Sequence, residues 1–361
     1  MVVVWASGRA HAGPYAQRGV SGFVNPFDRR QWAGPQDANA VLNPIFRGWA
    51  RGYVDYLPAD TEWVGSDVWN DPDRAVGLVT GDRFDIVSLG DLDGTEIAAG
   101  AEPGRITLIF GDPARPGDPN HIRNGAGYDF AVFENGLISA YNTSAGSASG
   151  QMLAELAYVE VSSNGIDFAR FPCVSLTEAP VGPYGTIDVS DVHNLAGKHA
   201  NGNSICTGTP FDLADLREHT LVTSGAVDLN DICYVRIVDV PGSGDFTDEA
   251  VAYIDPATWP DWDYYAQNRA VYDAWVTWGS GGFDLEAVGV LHPQQYSADI
   301  DLNGIVDAFD FAVLAGAWDS HFGRDGWAQR CDLAGADLTV DVLDVAQFAA
   351  QWLAKEAWAG Q

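Results

Sequence analysis

The chain has 361 residues, of which 50 are acidic and 19 basic, so its formal net charge is −31 at pH 7. This charge repels phosphate backbones and anionic lipid headgroups, which argues against nucleic acid and membrane surfaces as partners. No apolar run approaches the roughly 20 residues that span a bilayer, and the length leaves room for one large or two ordinary domains.

The first twelve residues predict the tail of an export signal. Met1–Ala6 is a short apolar run, and Ala10-His11-Ala12 has the small-x-small form of a secretory cleavage site. The alternative is an ordinary buried strand, because no basic residue precedes the apolar run. Export would place the protein outside the cell or at the cell surface.

Residues 13–291 read as a mainly β domain. Short β-branched and aromatic runs alternate with Gly, Pro, Asn and Asp, a pattern that predicts an antiparallel β-sandwich. We expect a jelly-roll of the galactose-binding-like type. Ser163-Asn164-Gly165 predicts a hairpin turn, and 210–216 a short helical piece. The predicted strands are 84–89, 105–110, 128–133, 157–162, 234–239 and the closing strand 283–290.

The acidic residues of this domain do not predict a catalytic pair, so no catalytic residue is assigned. Glycoside hydrolysis needs two carboxyl groups that face each other. Asp129 and Glu134 are an odd number of positions apart, so strand alternation separates them. Asp284 and Glu286 share a face of the closing strand, but the next residues on that face are apolar. We therefore interpret Asp284 and Glu286 as ligands of a structural ion or turn caps at the rim of the sandwich.

An aromatic segment before the closing strand predicts a ligand-binding surface. Flat rings beside Asp and Asn side chains suit a sugar or another ring-bearing ligand, because stacking supplies contact area and the polar atoms supply orientation. The alternative is that the rings cover the open end of the sandwich as part of its core. The candidate ligand-binding residues are Trp259, Trp262, Tyr264, Tyr265, Trp275 and Trp278.

Five motifs in the same domain resemble a family of secreted or cell-surface bacterial proteins. They are 127–136 (GYDFAVFENG), 158–165 (YVEVSSNG), 194–199 (NLAGKH), 208–213 (GTPFDL) and 281–289 (GGFDLEAVG), and the likeness runs from about Asn43 to Val290. The resemblance implies no defined activity. Some relatives are associated with the uptake of nutrients, including corrinoids.

After a predicted linker at 292–298, the chain carries a twelve-residue calcium loop. Oxygen-bearing residues occupy positions 1, 3, 5, 9 and 12, glycine occupies position 6, and position 7 contributes its carbonyl. A hard divalent cation takes six to eight oxygen ligands, which this spacing wraps around one point. The predicted ligands are Asp299, Asp301, Asn303, Ile305, Asp307 and Asp310.

The loop and its helix recur 34 positions later. Phe311, Leu314, Ala315 and Trp318 form the apolar stripe of a short helix, and 345–352 repeats it. Two such units should pack face to face. The second loop has Leu338 in place of the glycine and one inserted residue, so we expect weaker or absent calcium there. Its candidate ligands are Asp332, Asp337, Thr339, Asp341 and Asp344.

This duplicated pattern over 299–355 resembles a dockerin, a small all-α, EF-hand-like calcium module of secreted bacterial proteins; a tail follows at 356–361. The resemblance implies calcium as the cofactor and a cohesin-like partner. However, Ala308-Phe309 and Val342-Leu343 are apolar where cellulosomal dockerins carry small polar residues. Docking onto the chain's own body is therefore the alternative.

The sequence thus predicts a secreted, non-catalytic surface or matrix protein, with a β-sandwich that binds a ligand, glycan first, and a calcium-loaded anchoring module. Two alternatives stay open. One is a dockerin-borne enzyme of polysaccharide breakdown, of the glycoside hydrolase type, and the other is a surface capture protein for a small nutrient such as a corrinoid.

Overall fold

The computed structural model describes residues 17–25, 34–59, 68–202, 204–249, 268–291, 296–301, 304–321, 331–334 and 339–355. They fall into two compact units, one within 18–291 and the other within 296–355. The predicted export signal and C-terminal tail lie outside the described residues, as does most of the predicted linker.

The larger unit is built from short strands. In chain order they are β1 Val20–Ser21, β2 Phe23–Val24, β3 Val41–Leu42, β4 Phe46–Trp49, β5 Gly52–Leu57, β6 Val87–Ser88, β7 Arg105–Ile109, β8 Phe130–Glu134, β9 Leu137–Ile138, β10 Met152–Leu153, β11 Ala157–Ser162, β12 Ala169–Arg170, β13 Val174–Ser175, β14 Val192–His193, β15 Thr207–Phe211, β16 Tyr234–Asp239 and β17 Asp284–Leu291.

Two antiparallel sheets contain most of these strands. The first has the order β1-β15-β8-β17-β4, with β6 also paired to β17, and the second has the order β12-β11-β16-β7-β5. β11 and β12 form the hairpin that Ser163-Asn164-Gly165 predicts. The predicted closing strand, β17, lies in the interior of its sheet, because β8 pairs with one edge and β4 and β6 with the other.

The core lies between the two sheets. Phe130, Phe211 and Val288 from the first sheet join Ile106, Val159 and other apolar residues of the second in one buried cluster. The rings of Phe130 and Phe211 stack with centroids 5.4 Å apart. Each such side chain stabilises the fold by about 1.5–3 kcal/mol relative to an exposed one.

Helices in the larger unit are few and short. α1 spans Gly94–Ala99 and α2 Thr220–Thr223, and 3₁₀ turns cover Pro72–Ala75, Val189–Asp191 and Leu213–Leu216. The last turn falls within the predicted helical piece. α1 begins in the acidic turn at 91–96, where the Asp93 side chain caps it and the Glu96 carboxylate accepts a hydrogen bond from the Asp93 N–H.

The smaller unit contains α3 Ala308–Gly316, β18 Ser320–His321, β19 Thr339–Val340 and α4 Val342–Ala350. The prediction of a mainly β chain with antiparallel sheets is confirmed, and the sheets form a sandwich-like arrangement. In the part of the chain that the structure describes, no helix is long and apolar enough to cross a membrane.

Candidate functional site

The first predicted calcium loop brings three of its acids together. One carboxylate oxygen each from Asp299, Asp301 and Asp310 lies within 4.8 Å of the others. Asp299 and Asp310 are fully buried, whereas Asp301 is half-buried. Three carboxylates at this separation repel one another in a partly dry site, so the arrangement suits a cation.

Backbone donors place two of these carboxylates. Asp310 accepts from the Asp301 N–H at 2.9 Å and from the Asp307 N–H at 2.8 Å, which closes the loop onto the first turn of α3. Asp299 accepts from the Gly304 N–H at 2.9 Å. Gly304 has φ +81°, in the left-handed region that glycine adopts without a steric penalty. The glycine at position 6 therefore turns the loop as predicted.

The second repeat has the same pattern of backbone hydrogen bonds to a carboxylate, but it has fewer carboxylates. Asp344 accepts from the N–H groups of Leu333 and Ala334 at one oxygen and from Asp341 at the other. The Ala334 N–H occupies the place that the Asp301 N–H has in the first loop. An alanine there offers no side-chain oxygen, so the second loop lacks the counterpart of Asp301.

Two antiparallel pairings link the repeats. They correspond by the 34-residue offset, because Thr339 is the counterpart of Ile305 and Lys355 the counterpart of His321. Ile305 pairs with Lys355, and His321 pairs with Thr339. Asp319 and Leu353, which end the two helical segments, both have positive φ, at +57° and +64°. Ile305 and Thr339, the predicted carbonyl ligands, are thus each held by the other repeat.

Most residues of the predicted helix stripes are exposed, among them Trp318 and Trp352, so the stripes do not bury each other as fully as the sequence predicts. Leu314 and Phe348, which correspond in the two repeats, are buried. The Phe348 ring lies 5.7 Å from Phe311 and 5.5 Å from Trp352. Two further predicted ligands, Asn303 and Asp337, lie outside the described residues. Asp307 and Asp341 cap α3 and α4, and Asp332 lies in a short described segment.

The larger unit contains a cavity of about 350 Å³ that the sequence analysis did not predict. Four aromatic residues line it, and three of them are exposed: Phe84, Tyr184 and Trp278, the last with 52 % of its surface accessible. The half-buried Trp69 is the fourth. Arg83 and Phe84 also line a neighbouring cavity of about 590 Å³. The two cavities therefore adjoin along one surface of the unit.

Three buried acids, Glu134, Glu155 and Asp284, line the same 350 Å³ cavity. Burial, and then the charge of Asp284, holds the pKa of Glu134 well above its ordinary value. The nearby Gly136 N–H opposes this rise, but it is not oriented to form a hydrogen bond with the Glu134 carboxylate. Burial, and then the charge of Asp284, likewise raises the pKa of Glu155. Burial raises the pKa of Asp284, against the nearby side chains of Ser280 and Ser88 and a hydrogen bond of 2.9 Å from the Asn135 amide.

Three more buried acids belong to the same electrostatic group. Asp91, Asp239 and Asp273 each accept one backbone N–H, from Thr277, Phe283 and Leu156 respectively. Burial, and then the charge of Asp91, raises the pKa of Asp239. Burial also raises the pKa of Asp273, to which the charges of Asp239, Asp91 and Glu134 add.

Asp284 and Glu286, the predicted structural-ion residues, belong to different hydrogen-bond networks. Glu286 accepts from the Thr80 N–H and hydroxyl, the Gly81 N–H and the Asn201 amide. Asp284 instead faces the cavity. A register shift between Leu285 and Ala287 changes which face of the sheet the later side chains of β17 occupy. Val288 therefore lies in the core, although strict alternation would put it on the same face as Asp284 and Glu286.

Of the predicted aromatic ligand residues, Trp278 lines the cavity. The half-buried Trp275 donates its indole N–H to the Leu92 carbonyl at 2.9 Å, which is a structural role. Trp259, Trp262, Tyr264 and Tyr265 lie outside the described residues, so their part in binding stays a prediction.

Sequence reasoning missed Glu155 and dismissed Glu134. The signal that marks both is a charged residue inside an apolar run, as in Phe130–Glu134 and in Ala154-Glu155-Leu156. Glu and Asp are almost never fully buried without a partner, so an acid within an apolar run indicates a candidate functional site.

No protein-family model matches this chain. No curated protein matches its sequence at a significant level.

Proposed function

We propose that this chain is a secreted, non-catalytic surface or matrix protein whose sandwich binds a glycan and whose C-terminal unit is a calcium-ordered anchoring module. The observation that carries the proposal is the 350 Å³ cavity, in which exposed aromatic rings stand beside carboxylate and amide groups. Exposed rings around a concave surface are the usual signature of a binding site.

The lining of the cavity favours a sugar over other small ligands. Trp278 and Tyr184 offer flat faces for stacking, and Asn135, Glu155 and Asp284 offer polar atoms for hydroxyl groups. The volume lies at the lower end of the range for ligand pockets, which suits one or two sugar rings better than a corrinoid macrocycle. The adjoining 590 Å³ cavity gives room for a longer chain.

The C-terminal unit supports the anchoring half of the proposal. Its first loop holds the Asp299, Asp301 and Asp310 triad, whose hard oxygen ligands suit calcium. Phe309, Val342 and Leu343 are exposed at the positions that the dockerin resemblance assigns to partner recognition. Exposed apolar side chains there favour a protein partner with an apolar surface.

A polysaccharide hydrolase is the second candidate function. The observation in its favour is that Glu134 and Asp284 line one cavity and that burial raises the pKa of both, as a general acid requires. In that case one carboxyl group protonates the leaving oxygen and the other acts as nucleophile or base.

Glycan-array binding and polysaccharide hydrolysis by the full chain separate these candidates. We expect binding without turnover, and a loss of affinity of up to about tenfold in Trp278→Ala, because one aromatic contact contributes about 0.5–1.5 kcal/mol. Tyr141→Ala is the control, since Tyr141 is exposed and does not line the cavity. Turnover would establish the hydrolase, and binding of a corrinoid in place of sugar would establish nutrient capture.

A further inference from the structure

We propose that the larger unit has its own divalent-cation site, of the calcium type, at the cavity, with Glu134, Glu155 and Asp284 as its carboxylate ligands. This site is separate from the C-terminal loop. It shares Glu155 and Asp284 with the proposed glycan surface, but cation binding can be measured without a glycan.

The first observation is the state of Glu134. Its side chain is 1 % exposed, and neither carboxylate oxygen has a hydrogen-bond partner among the described residues. Glu286, a buried glutamate in the same unit, accepts from four protein donors. A buried carboxyl group without hydrogen-bond partners destabilises the fold even where a raised pKa keeps it neutral, and a bound cation supplies the missing contacts.

The second observation is that other oxygens around Glu134 are in the same condition. Oδ1 of Asp284, Oδ1 of Asp91 and Oδ2 of Asp239 are buried without a hydrogen-bond partner in the part of the chain that the structure describes. With Glu134 they make five buried carboxylate oxygens without a donor within one group of electrostatically interacting acids. Oxygen atoms of this kind are the ligands that calcium prefers.

The third observation is the absence of a balancing charge. Among the described residues, no Arg, Lys or His forms an ion pair with any of the six acids. Arg83 lines the cavity, but its guanidinium lies over the Phe84 ring, 4.6 Å from the centroid. Two catalytic carboxyl groups would not require four more buried acids around them, whereas a divalent cation offsets several negative charges at once.

The geometry also indicates how the cation would be held. Within the described chain, the C-terminal triad alone places three acidic ligand atoms within 4.8 Å of one another. The cavity acids are farther apart, so water molecules or small side-chain rotations must complete the coordination. Calcium accepts such mixed shells of six to eight oxygens, whereas magnesium demands a near-ideal octahedron.

The test uses the full chain with both C-terminal loops silenced, the first by Asp299→Asn and Asp301→Asn and the second by Asp344→Asn. Calcium binding is measured by calorimetry, and terbium binding by luminescence sensitised through nearby rings such as Trp278. We expect one bound cation per chain, and an affinity at least about tenfold lower after Glu134→Gln, since even supporting groups of metal sites contribute that much. Glu286→Gln is the matched control and should leave the affinity unchanged.

Melting temperatures distinguish loss of the site from loss of the fold. Without calcium, Glu134→Gln should melt close to its parent, because burial raises the pKa of Glu134 and the carboxyl group is then neutral like the amide that replaces it. With calcium it should melt lower, because the parent gains cation binding. No cation bound to the silenced chain, or a Glu134→Gln variant that is more stable than its parent both with and without calcium, would overturn the proposal.

Discussion

Two groups of buried carboxylates differ in how the chain assembles them. The C-terminal loop draws Asp299, Asp301 and Asp310 from twelve consecutive residues, so their spacing alone brings them together. The second group consists of the three cavity acids and the three acids that interact with them. These six residues come from six separate segments between Asp91 and Asp284. A local site can therefore be recognised from sequence spacing, whereas a site of the second kind exists only once the sheets have formed.

The two groups also differ in what holds the carboxylates. In the loop, Asp310 accepts two backbone N–H groups and Asp299 accepts one. In the cavity, Glu134 accepts none among the described residues. The loop acids thus help to fold their own segment, while Glu134 depends on the surrounding sandwich to hold it in place. Five experiments challenge or refine this contrast.

Removal of divalent cations should have the largest effect, and it should fall on the loop. A bound cation contributes about 4 kcal/mol at a thousandfold excess over Kd, and the free energy acts on the loop that begins α3. We expect hydrogen exchange after chelation to show lost protection in α3 and α4, with β7, β11 and β16 still protected.

Asp299→Asn with Asp301→Asn should reproduce that loss without a chelator. Asp319→Asn is the control, because Asp319 is exposed and asparagine tolerates its positive φ. Helices that stay protected in the chelated protein would show that the loop orders itself without a cation.

Phe348→Ala should destabilise the smaller unit by about 3–5 kcal/mol, the usual cost of emptying the site of a buried ring. Phe348 is 3 % exposed, whereas Leu343 on the same helix is 55 % exposed, so Leu343→Ala is the matched control. Exchange protection of α3 and α4 against that of β11 and β16 measures the effect. Equal losses of protection in both units would contradict the expectation that each compact unit is stabilised by its own core.

The sequence predicted much of the sandwich because strand signals are local. The predicted strands 157–162 and 234–239 coincide with β11 and β16. The prediction for β17 was less complete, since neither its interior position in the sheet nor the register shift at Leu285 leaves a signal in the order of residues. That shift explains why Asp284 could not be assigned to a cavity from alternation alone.

The same limit applies to the candidate sites. Gly304 and the carboxylates around it form a pattern with a known spacing, so the loop was predicted. Glu134 ends β8 and Glu155 lies between β10 and β11, so only the fold brings them to one cavity and no spacing rule relates them. The capping role of Asp93 was also hidden, because an acidic turn and a helix N-terminus share the same residue types.

A buried lysine of the larger unit, Lys198, allows a test with a smaller expected effect. Lys198 is buried away from the acid group, and its ammonium donates to the Val192 carbonyl. Burial lowers its pKa from 10.5 to about 7, against the attraction of Asp188 and Asp191. Between those values the unfolded chain binds a proton that the folded chain does not, so this group makes the free energy of unfolding rise with pH.

The rise is at most about 1.4 kcal/mol per pH unit. Urea unfolding between pH 7 and 10 should show it as a difference in slope between the parent and Lys198→Met, whose unbranched side chain cannot be charged. Parallel profiles for the two proteins would mean that Lys198 stays charged in the folded state.

Ala334→Asp should have the smallest effect and tests why the two repeats differ. Ala334 donates its N–H to Asp344 as Asp301 does to Asp310, but it lacks the side-chain oxygen of Asp301. Because affinity in such loops follows the number of charged ligands, we expect calcium to bind the second loop about 3- to 10-fold more tightly, as measured by calorimetry. Ala346→Asp adds the same charge at an exposed position of α4 and should change nothing. Equal affinities in the two variants would assign the weakness of the second loop to its inserted residue and missing glycine, not to the absent carboxylate.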